Sequence, residues 1–286
     1  GYIKNSIINN NQSGGRGGGI YTIISGNQNL IIENTIIRGN SVESEIGGHT
    51  IDGGGIYHHA PTADSKGILS IINSLIINNS AVSPDRNGGG ISVTASVNLI
   101  NSIMTNNSPM QVEMSPGAVY NFNVINSNIE NGKDGLHYNG TPDVTLNYTS
   151  NLNVDPLFVD TANGDYHLKE QSLLIGAGID SVELNDIWYY APSTDITGNK
   201  RPNPSGSKPD IGAYENQYGE PKHNTFIYVS KTGTDSETTF GFSSDPFKTI
   251  QAGIDYSWDG DTVYVHAGTY YENISLTKSI VLEGSN

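Results

Sequence analysis

The loop around residue 160 carries the side chains of this chain that are best suited to binding a metal ion. Asp160, Asn163 and Asp165 supply hard oxygen ligands, which are the ligands that Ca²⁺ prefers. The spacing is not that of an EF-hand, and Asp- and Gly-rich loops are also ordinary turns. If the chain binds Ca²⁺, we expect the site at this loop, with Asp259 and Asp261 as the second choice.

Two groups of residues are of the types that perform acid–base chemistry. His58-His59, together with Asp52 and Asp64, offers general acids and bases. Adjacent residues of a strand point to opposite faces, so one cleft cannot hold both histidines. Asp85-Arg86 lies beside a Gly-rich corner, without a cluster of acidic residues on adjacent turns. We therefore predict no catalytic residues and interpret both groups as structural or solvated.

An aromatic run is the third candidate, and it concerns binding rather than catalysis. Trp188, Tyr189 and Tyr190 are consecutive, and aromatic rings offer large apolar surfaces with a polar edge. Such a run is suited either to stacking against a carbohydrate or to packing within the fold. Both interpretations stay open, and a polysaccharide is the external partner that the first one implies.

Composition excludes several classes of partner. The chain has 286 residues and a formal net charge of −15, from 14 Lys and Arg against 29 Asp and Glu. We expect no nucleic acid partner and no anionic membrane partner, because both require a basic surface. No apolar run approaches the ~18 residues of a membrane span. With no Cys, disulfides and thiolate metal sites are excluded.

One phrase recurs five times in the first half of the chain. Each copy has an Asn followed by Ser or Thr, and apolar residues lie two positions before and three positions after that Asn; the five are Asn5, Asn34, Asn73, Asn101 and Asn126. Their variable spacing suits a solenoid, in which insertions bulge from the corners. The two apolar positions are an odd number apart, so one straight strand would point them to opposite faces.

A corner at each Asn turns both apolar side chains inward. Asn tolerates the left-handed backbone that a corner needs. We therefore predict stacked rungs in which these Asn residues form an amide ladder beside columns of Ile. Glycine-rich corners at 17–20, 53–56 and 88–91 separate the units. Helices are disfavoured, because β-branched runs with Asn and triple Gly have poor helix propensity.

These repeats resemble the right-handed parallel β-helix family of pectin-lyase-like proteins. The resemblance rests on the I-x-N-[ST]-x-I-x-N-N and G-G-G-I-Y phrases and covers residues 1–150. It implies an all-β, right-handed parallel β-helix (β-solenoid). It implies little about activity, since this architecture hosts lyases, hydrolases, adhesins and inert surface proteins.

Residues 151–216 change in character and resemble the C-terminal tail of bacterial extracellular β-helix proteins. The resemblance rests on DPLFVD at 155–160, GDYHL at 164–168 and PDIGAYE at 209–215. Sequence rich in Pro and turns makes a suitable lid, because it covers a rung without offering another strand edge. We expect it to close the last rung and, by resemblance, the protein to be extracellular or on the cell surface.

After a polar linker at 217–223, residues 224–286 resemble the beginning of the same family. We predict a strand at 226–230, one short capping α-helix over 246–258 with Asp245-Pro246 at its start, and strands at 262–265 and 279–282. The order of rungs, tail and cap indicates either a permuted chain or a window across two tandem units. In the permuted case, residues 224–286 of one copy would stack on the Gly1 end of the next, head to tail.

The function that these features favour is an extracellular, non-catalytic structural or surface protein. Its expected partner is itself, either head to tail in a fibre or as tandem copies. The alternatives are a polysaccharide-active enzyme (lyase or glycoside hydrolase) and a glycan-binding adhesin of the pectin-lyase-like fold. We expect no cofactor other than Ca²⁺ at Asp160, Asn163 and Asp165.

Overall fold

A computed structural model describes residues 1–43, 52–62, 67–82, 88–115, 119–138, 144–236 and 239–285. The chain divides into two compact units, Gly1–Pro221 and Lys222–Asn286. The division falls inside the polar segment 217–223. Within the described residues, no helix is both long and apolar enough to cross a membrane.

The first unit is a parallel β-solenoid, as the repeats predict. Its strands, in chain order and grouped by rung, are β1 (Tyr2–Lys4), β2 (Ile7–Asn9), β3 (Gln12–Ser13) and β4 (Ile20–Ile23); β5 (Asn29–Glu33), β6 (Ile36–Arg38), β7 (Ser41–Val42) and β8 (Ile56–His59); β9 (Ile68–Ile72), β10 (Leu75–Ile77), β11 (Ser80–Ala81) and β12 (Gly88–Val93); β13 (Ser96–Ile100), β14 (Ile103–Thr105) and β15 (Met110–Met114); β16 (Tyr120–Ile125), β17 (Asn128–Ile129) and β18 (Leu136–Tyr138); and β19 (Val144–Thr149). A 3₁₀-helix at Gly132–Gly135 precedes β18.

Successive rungs pair in parallel to form the sides of the solenoid. Sheet 1 has the order β1-β5-β9-β13-β16-β19, sheet 2 β2-β6-β10-β14-β17, sheet 3 β3-β7-β11 and sheet 4 β4-β8-β12-β15-β18. The register of sheet 1 pairs Ile3 with Ile32, and that of sheet 2 pairs Ile37 with Ile76. Both pairs belong to the apolar columns that the aligned repeats predict, and these columns form the buried interior.

The corners have the predicted backbone, while the amide ladder lies elsewhere. Asn5, Asn34, Asn73, Asn101 and Asn126 all have positive φ, between 44° and 49°. The continuous ladder is formed six positions later, by Asn11, Asn40, Asn79 and Asn107. There the Asn79 amide donates to Asn107 Oδ1 at 2.9 Å and accepts from Asn40 Nδ2 at 2.9 Å. At the corner itself, bonds between amides join Asn34 to Asn5 and Asn101 to Asn73.

The triple glycines permit close stacking between rungs. A Cβ on Gly18 would lie 2.3 Å from the carbonyl oxygen of Gly54, and a Cβ on Gly54 would lie 2.3 Å from that of Ser80. No side chain fits at such distances. Glycine is therefore required at this corner by backbone approach.

The tail packs along the side of the solenoid, and its first residues also bond to the last rungs, where Asn128 and Leu152 form a parallel bridge. It contains two antiparallel hairpins, β20 (Phe158–Asp160) with β21 (Asp165–Leu168), and β22 (Ser181–Leu184) with β23 (Ile187–Tyr190). Tail residues such as Ile211 pack against Leu75 and Ile103 on the outer face of sheet 2. The second hairpin packs on the outer face of sheet 1. The outer faces that the tail covers are themselves apolar, and closure of the last rung by the tail stays a prediction.

The second unit is a three-stranded parallel sheet with one helix. Its elements are β24 (Phe226–Val229), α1 (Ile250–Tyr256), β25 (Thr262–Val265) and β26 (Val281–Gly284). The helix begins later than predicted, because Phe247 forms a parallel bridge with Val229. Its N-cap is Thr249, whose hydroxyl accepts a hydrogen bond from the backbone N–H of Ala252, and not Asp245.

Candidate functional site

Several charged residues of the tail lie buried against the solenoid. The Arg201 guanidinium donates from Nε to Glu215 Oε2 at 2.7 Å, from Nη1 to Asn34 Oδ1 at 2.8 Å, and from Nη2 to the Gly212 carbonyl at 3.1 Å. The side chains of Arg201 and Glu215 are fully buried. We call Arg201, Glu215, Asp210 and Asp195 the tail network.

Asp210 holds two segments of the tail together through its carboxylate. Its Oδ1 accepts from the Gly176 N–H at 2.8 Å and its Oδ2 from the Asn216 N–H at 2.6 Å. Burial, reinforced by the charge of nearby Glu215, raises the pKa of Asp210 to about 7. Burial is also the main reason that the pKa of Glu215 lies above its usual value, against the attraction of Arg201.

Asp195 closes the loop that carries the T-G-N phrase. Burial opposes its ionisation, but accepted hydrogen bonds outweigh that effect and lower its pKa; the donors are Glu215 N, Thr197 Oγ1, and the Asn199 N and Nδ2 groups. The tail network therefore uses its charges to fix backbone and to fasten the tail.

The corner asparagines complete this attachment. Four of them donate their side-chain amides to backbone carbonyls of the tail, Asn34 to Thr194, Asn73 to Asp210, Asn101 to Ile179 and Asn126 to Ala177, at 2.7–3.1 Å. The repeat alignment identifies these Asn residues as corners. It carries no signal for their second role, because the partner carbonyls lie far along the chain.

The two histidines of β8 face opposite sides, as expected. His58 points into the solenoid, where its Nδ1 lies 2.7 Å from Thr22 Oγ1, and burial lowers its pKa to about 4. His59 lies on the outer face, 2.8 Å from Thr94 Oγ1. Asp52 is buried beside Arg16 in an isolated parallel bridge. Asp64 and Asp85-Arg86 lie outside the described residues.

A carboxylate–histidine pair that the sequence did not suggest lies on the outer face of sheet 4. Glu113 of β15 and His137 of β18 are register partners on adjacent rungs, and His137 Nδ1 bonds to Glu113 Oε2. Glu113 is buried, while the His137 side chain is 39% exposed. A single carboxylate beside a histidine is not the cluster of acidic residues whose absence from the sequence was noted above, so the expectation of no catalytic residues stays a prediction. The pair depends on the register of sheet 4, in which Val112 lies beside Leu136 and therefore Glu113 beside His137.

A cleft of about 540 Å³ lies beside the ends of β14 and β17, where the tail begins. Its polar walls include Asn106, Glu130, Asp155 and Lys169, and Phe158 supplies an aromatic edge. A smaller cleft of about 320 Å³ adjoins it and shares Asn106 and Glu130.

The predicted Ca²⁺ loop is closed by its own hydrogen bonds. Asp160 accepts from Asn163 through both carboxylate oxygens, from N at 3.2 Å and Nδ2 at 2.5 Å. Asp165 contacts His167, and Asp165 Oδ1 lies 2.6 Å from His167 Nδ1. In the described ranges, no three His, Asp or Glu side chains cluster as a metal site would require. Calcium at Asp160, Asn163 and Asp165 stays a prediction, which thermal denaturation with and without a chelator tests.

The second-choice acids serve local structure in the second unit. Asp259 Oδ1 accepts from the Ser279 N–H at 2.7 Å. Asp261 Oδ2 accepts from the Trp258 N–H at 2.5 Å and lies 2.7 Å from His223 Nε2.

The aromatic run is divided between the two faces of the second hairpin. Tyr189 is buried against the Ile column on sheet 1. Trp188 and Tyr190 lie on the opposite face, with 53% and 63% of their surface exposed and ring centroids 6.3 Å apart. Residues Asn185 and Asp186 both have positive φ, which is typical of a type I′ hairpin turn.

Comparison with protein-family models, with curated proteins and with solved structures gives no match for this chain. The pectin-lyase-like resemblance therefore stands on the repeat phrases and on the parallel solenoid itself.

Proposed function

We propose that this chain is a non-catalytic, extracellular or cell-surface structural protein of the pectin-lyase-like type. The observation that carries the proposal is the tail network. Arg201 and Glu215 are fully buried and bonded to the solenoid and the tail. Charges used in this way hold the tail on the solenoid, and because they are buried they have no access to a polymer.

The resemblance of the tail phrases to those of bacterial extracellular β-helix proteins supports the location. The last of these phrases has an architectural explanation here. The D-I-G-A-Y-E stretch provides Asp210 and Glu215 to the tail network. Its Gly212 has a φ of 113° and lies beside Ile103 of sheet 2. A Cβ at Gly212 would lie 2.7 Å from Ile103 Cδ1, so a larger residue would crowd that side chain.

A polysaccharide-active enzyme is the second candidate, and the Glu113–His137 pair favours it. A buried carboxylate that orients a half-exposed histidine is an arrangement used in general base catalysis. A glycan-binding adhesin is the remaining alternative, and the exposed Trp188 and Tyr190 favour it.

Prolonged incubation with neutral and acidic polysaccharides tests the proposal. We expect no release of reducing ends and no unsaturated products above the level of a heat-denatured sample. Release that disappears in His137→Ala, but persists in the matched variant His167→Ala, would overturn the proposal in favour of an enzyme. His167 is an exposed histidine that also bonds to a carboxylate, Asp165.

Self-association, head to tail or between tandem copies, is a further proposal. Strand β26 pairs with β25, and its Val281 and Leu282 are exposed apolar residues. Exposed apolar residues of this kind are suited to contact with another copy of the chain. Light scattering of the full chain should show assembly. We expect the double variant Val281→Lys, Leu282→Lys to abolish this assembly and the control Ile187→Lys to preserve it. A monomer at all concentrations would contradict it.

A further inference from the structure

We propose that the cleft between the ends of β14 and β17 and the start of the tail binds a neutral oligosaccharide. The proposal goes beyond the structural function above, since binding requires no cleavage.

The size of the cleft fits such a ligand. Its volume of about 540 Å³ lies within the ~300–1,000 Å³ of small-molecule sites. The adjoining cleft of about 320 Å³ shares Asn106 and Glu130 with it. Two connected compartments suit a short chain of sugar rings better than a single compact molecule.

A fixed acceptor stands where the two compartments meet. Glu130 Oε2 accepts from the Asn106 N–H at 2.5 Å, from Gln111 Nε2 at 2.9 Å and from Thr105 Oγ1 at 3.4 Å. All three bonds go to Oε2, so they leave the lone pairs of Oε1 for a hydroxyl donor. Because the carboxylate is already held in place, binding costs little ordering of this side chain.

The tail side of the cleft is also fixed, and its backbone is strained. Leu157, which lines the cleft, has φ 54°, a conformation that is rare for a residue that is neither Gly nor Asn. The Asp155 carboxylate accepts from the Leu157 N–H at 2.9 Å, and the Leu157 carbonyl accepts from the Lys169 N–H at 2.8 Å. Backbone strain held by surrounding bonds is characteristic of binding sites.

The charges of the cleft favour a neutral ligand. Two carboxylates, Glu130 and Asp155, and one ammonium group, Lys169, line it, so an acidic chain meets a net negative wall. Carboxylates and amides are good partners for sugar hydroxyls, because they accept and donate at fixed positions. Phe158, half-buried against the apolar residues of the tail, adds an aromatic edge to the lining.

Calorimetry with a panel of neutral tetrasaccharides (cello-, malto-, xylo-, manno- and chito-oligomers), with tetragalacturonate as the acidic probe, tests the proposal. Asn153→Trp and Thr161→Trp place a large ring at two exposed positions of the cleft. Asn27→Trp, at an exposed turn outside the cleft, is the matched control. We expect at least one neutral member to bind, and both cleft variants to weaken it at least about tenfold, with the control unchanged.

Chemical-shift mapping on the unaltered protein provides a second reading that does not depend on the variants. The side-chain amides of Asn106 and Asn153 should shift on titration with the bound oligosaccharide. The proposal is overturned if no neutral member binds, if tetragalacturonate binds more tightly, or if the variants and control have equal affinity. Recovery of the ligand uncleaved separates this test from the proposed function, because turnover would contradict only the latter.

Discussion

Asparagine performs three different tasks in this solenoid, and position in the rung decides which. Asn73 turns the chain with φ 44° and donates to the tail at 2.9 Å. Asn79 lies fully buried in the interior ladder. Asn98 and Asn123 form a polar stack on the outer face of sheet 1, joined at 2.8 Å. Buried amides are tolerated at these places because neighbouring rungs satisfy their donors and acceptors.

Substitution in an Ile column should be costly where the side chain is buried and cheap where it is exposed. Ile37 is fully buried, whereas Ile7, on the neighbouring strand of sheet 2, is 55% exposed. We expect Ile37→Ala to lower the free energy of unfolding by about 2–5 kcal/mol, and Ile7→Ala to change it by less than about 0.5 kcal/mol. Chemical denaturation of the two variants measures this, and equal losses would contradict the register.

Asp210 should make stability depend on pH in a defined direction. Its folded pKa of about 7 lies above the ordinary value of 3.8, so the folded state holds the proton more tightly than the unfolded state. Its contribution is therefore fully present below pH 4 and is lost as the pH rises to about 7.

We expect the stability of the wild type, relative to Asp210→Asn, to fall over this interval by at most about 4 kcal/mol. Denaturation curves of both proteins between pH 4 and 8 measure the difference. A difference that does not change with pH would show that Asp210 ionises normally in the folded protein.

At the scale of elements, a corner serves both the turn and the attachment of the tail, and substitution can separate the two. Asn73→Gly keeps the left-handed backbone but removes the bonds to Asp210 and Asn101, so we expect a loss of about 1–3 kcal/mol. Asn73→Ala should cost about 1–2 kcal/mol more, because a Cβ is disfavoured at positive φ.

The exposed corner at Asn10 is the matched control, with φ 54°. Asn10→Gly should leave stability within about 0.5 kcal/mol of the wild type. Thermal denaturation of the three variants tests whether the Asn73 side chain fastens the tail. Equal stability of Asn73→Gly and Asn10→Gly would show that it does not.

The sequence is sufficient to predict the rungs, because each repeat carries its own core residues at fixed positions. Ile32, Ile71 and Leu99 occur at the same offset from a corner Asn, and they stack as that alignment predicts. The start of α1 was misplaced because Phe247 pairs with Val229, a contact that local capping signals do not contain.

The candidate sites were harder to predict, since they form between distant segments. Glu113 and His137 meet only through the register of sheet 4. The cleft at Glu130 needs the tail to return beside β17. No regular spacing of residues along the chain indicates the Glu113–His137 pair or the cleft. Trp188, Tyr189 and Tyr190 were identifiable as aromatic, but only the hairpin register decides which of them is exposed.

At the scale of the whole molecule, the charged residues described above have two different roles. Arg201, Glu215, Asp210 and Asp195 fasten the tail and are buried, whereas the carboxylates of the cleft remain open to solvent or ligand. The formal net charge of the chain is −15, and a large net charge opposes non-specific association. Its buried acids must be paired or hydrogen-bonded, because isolated buried charge is costly.

The central claim is that the tail network binds the tail to the solenoid. Hydrogen exchange of Arg201→Met, compared with Arg201→Lys and the wild type, tests it most directly. Removing the guanidinium leaves Glu215 buried and unpaired, which costs about 3–5 kcal/mol. The account predicts that in Arg201→Met the amides of residues 193–216 exchange much faster, while those of β10 and β14 stay protected, with Arg201→Lys intermediate. Unchanged protection of residues 193–216 in Arg201→Met would contradict it.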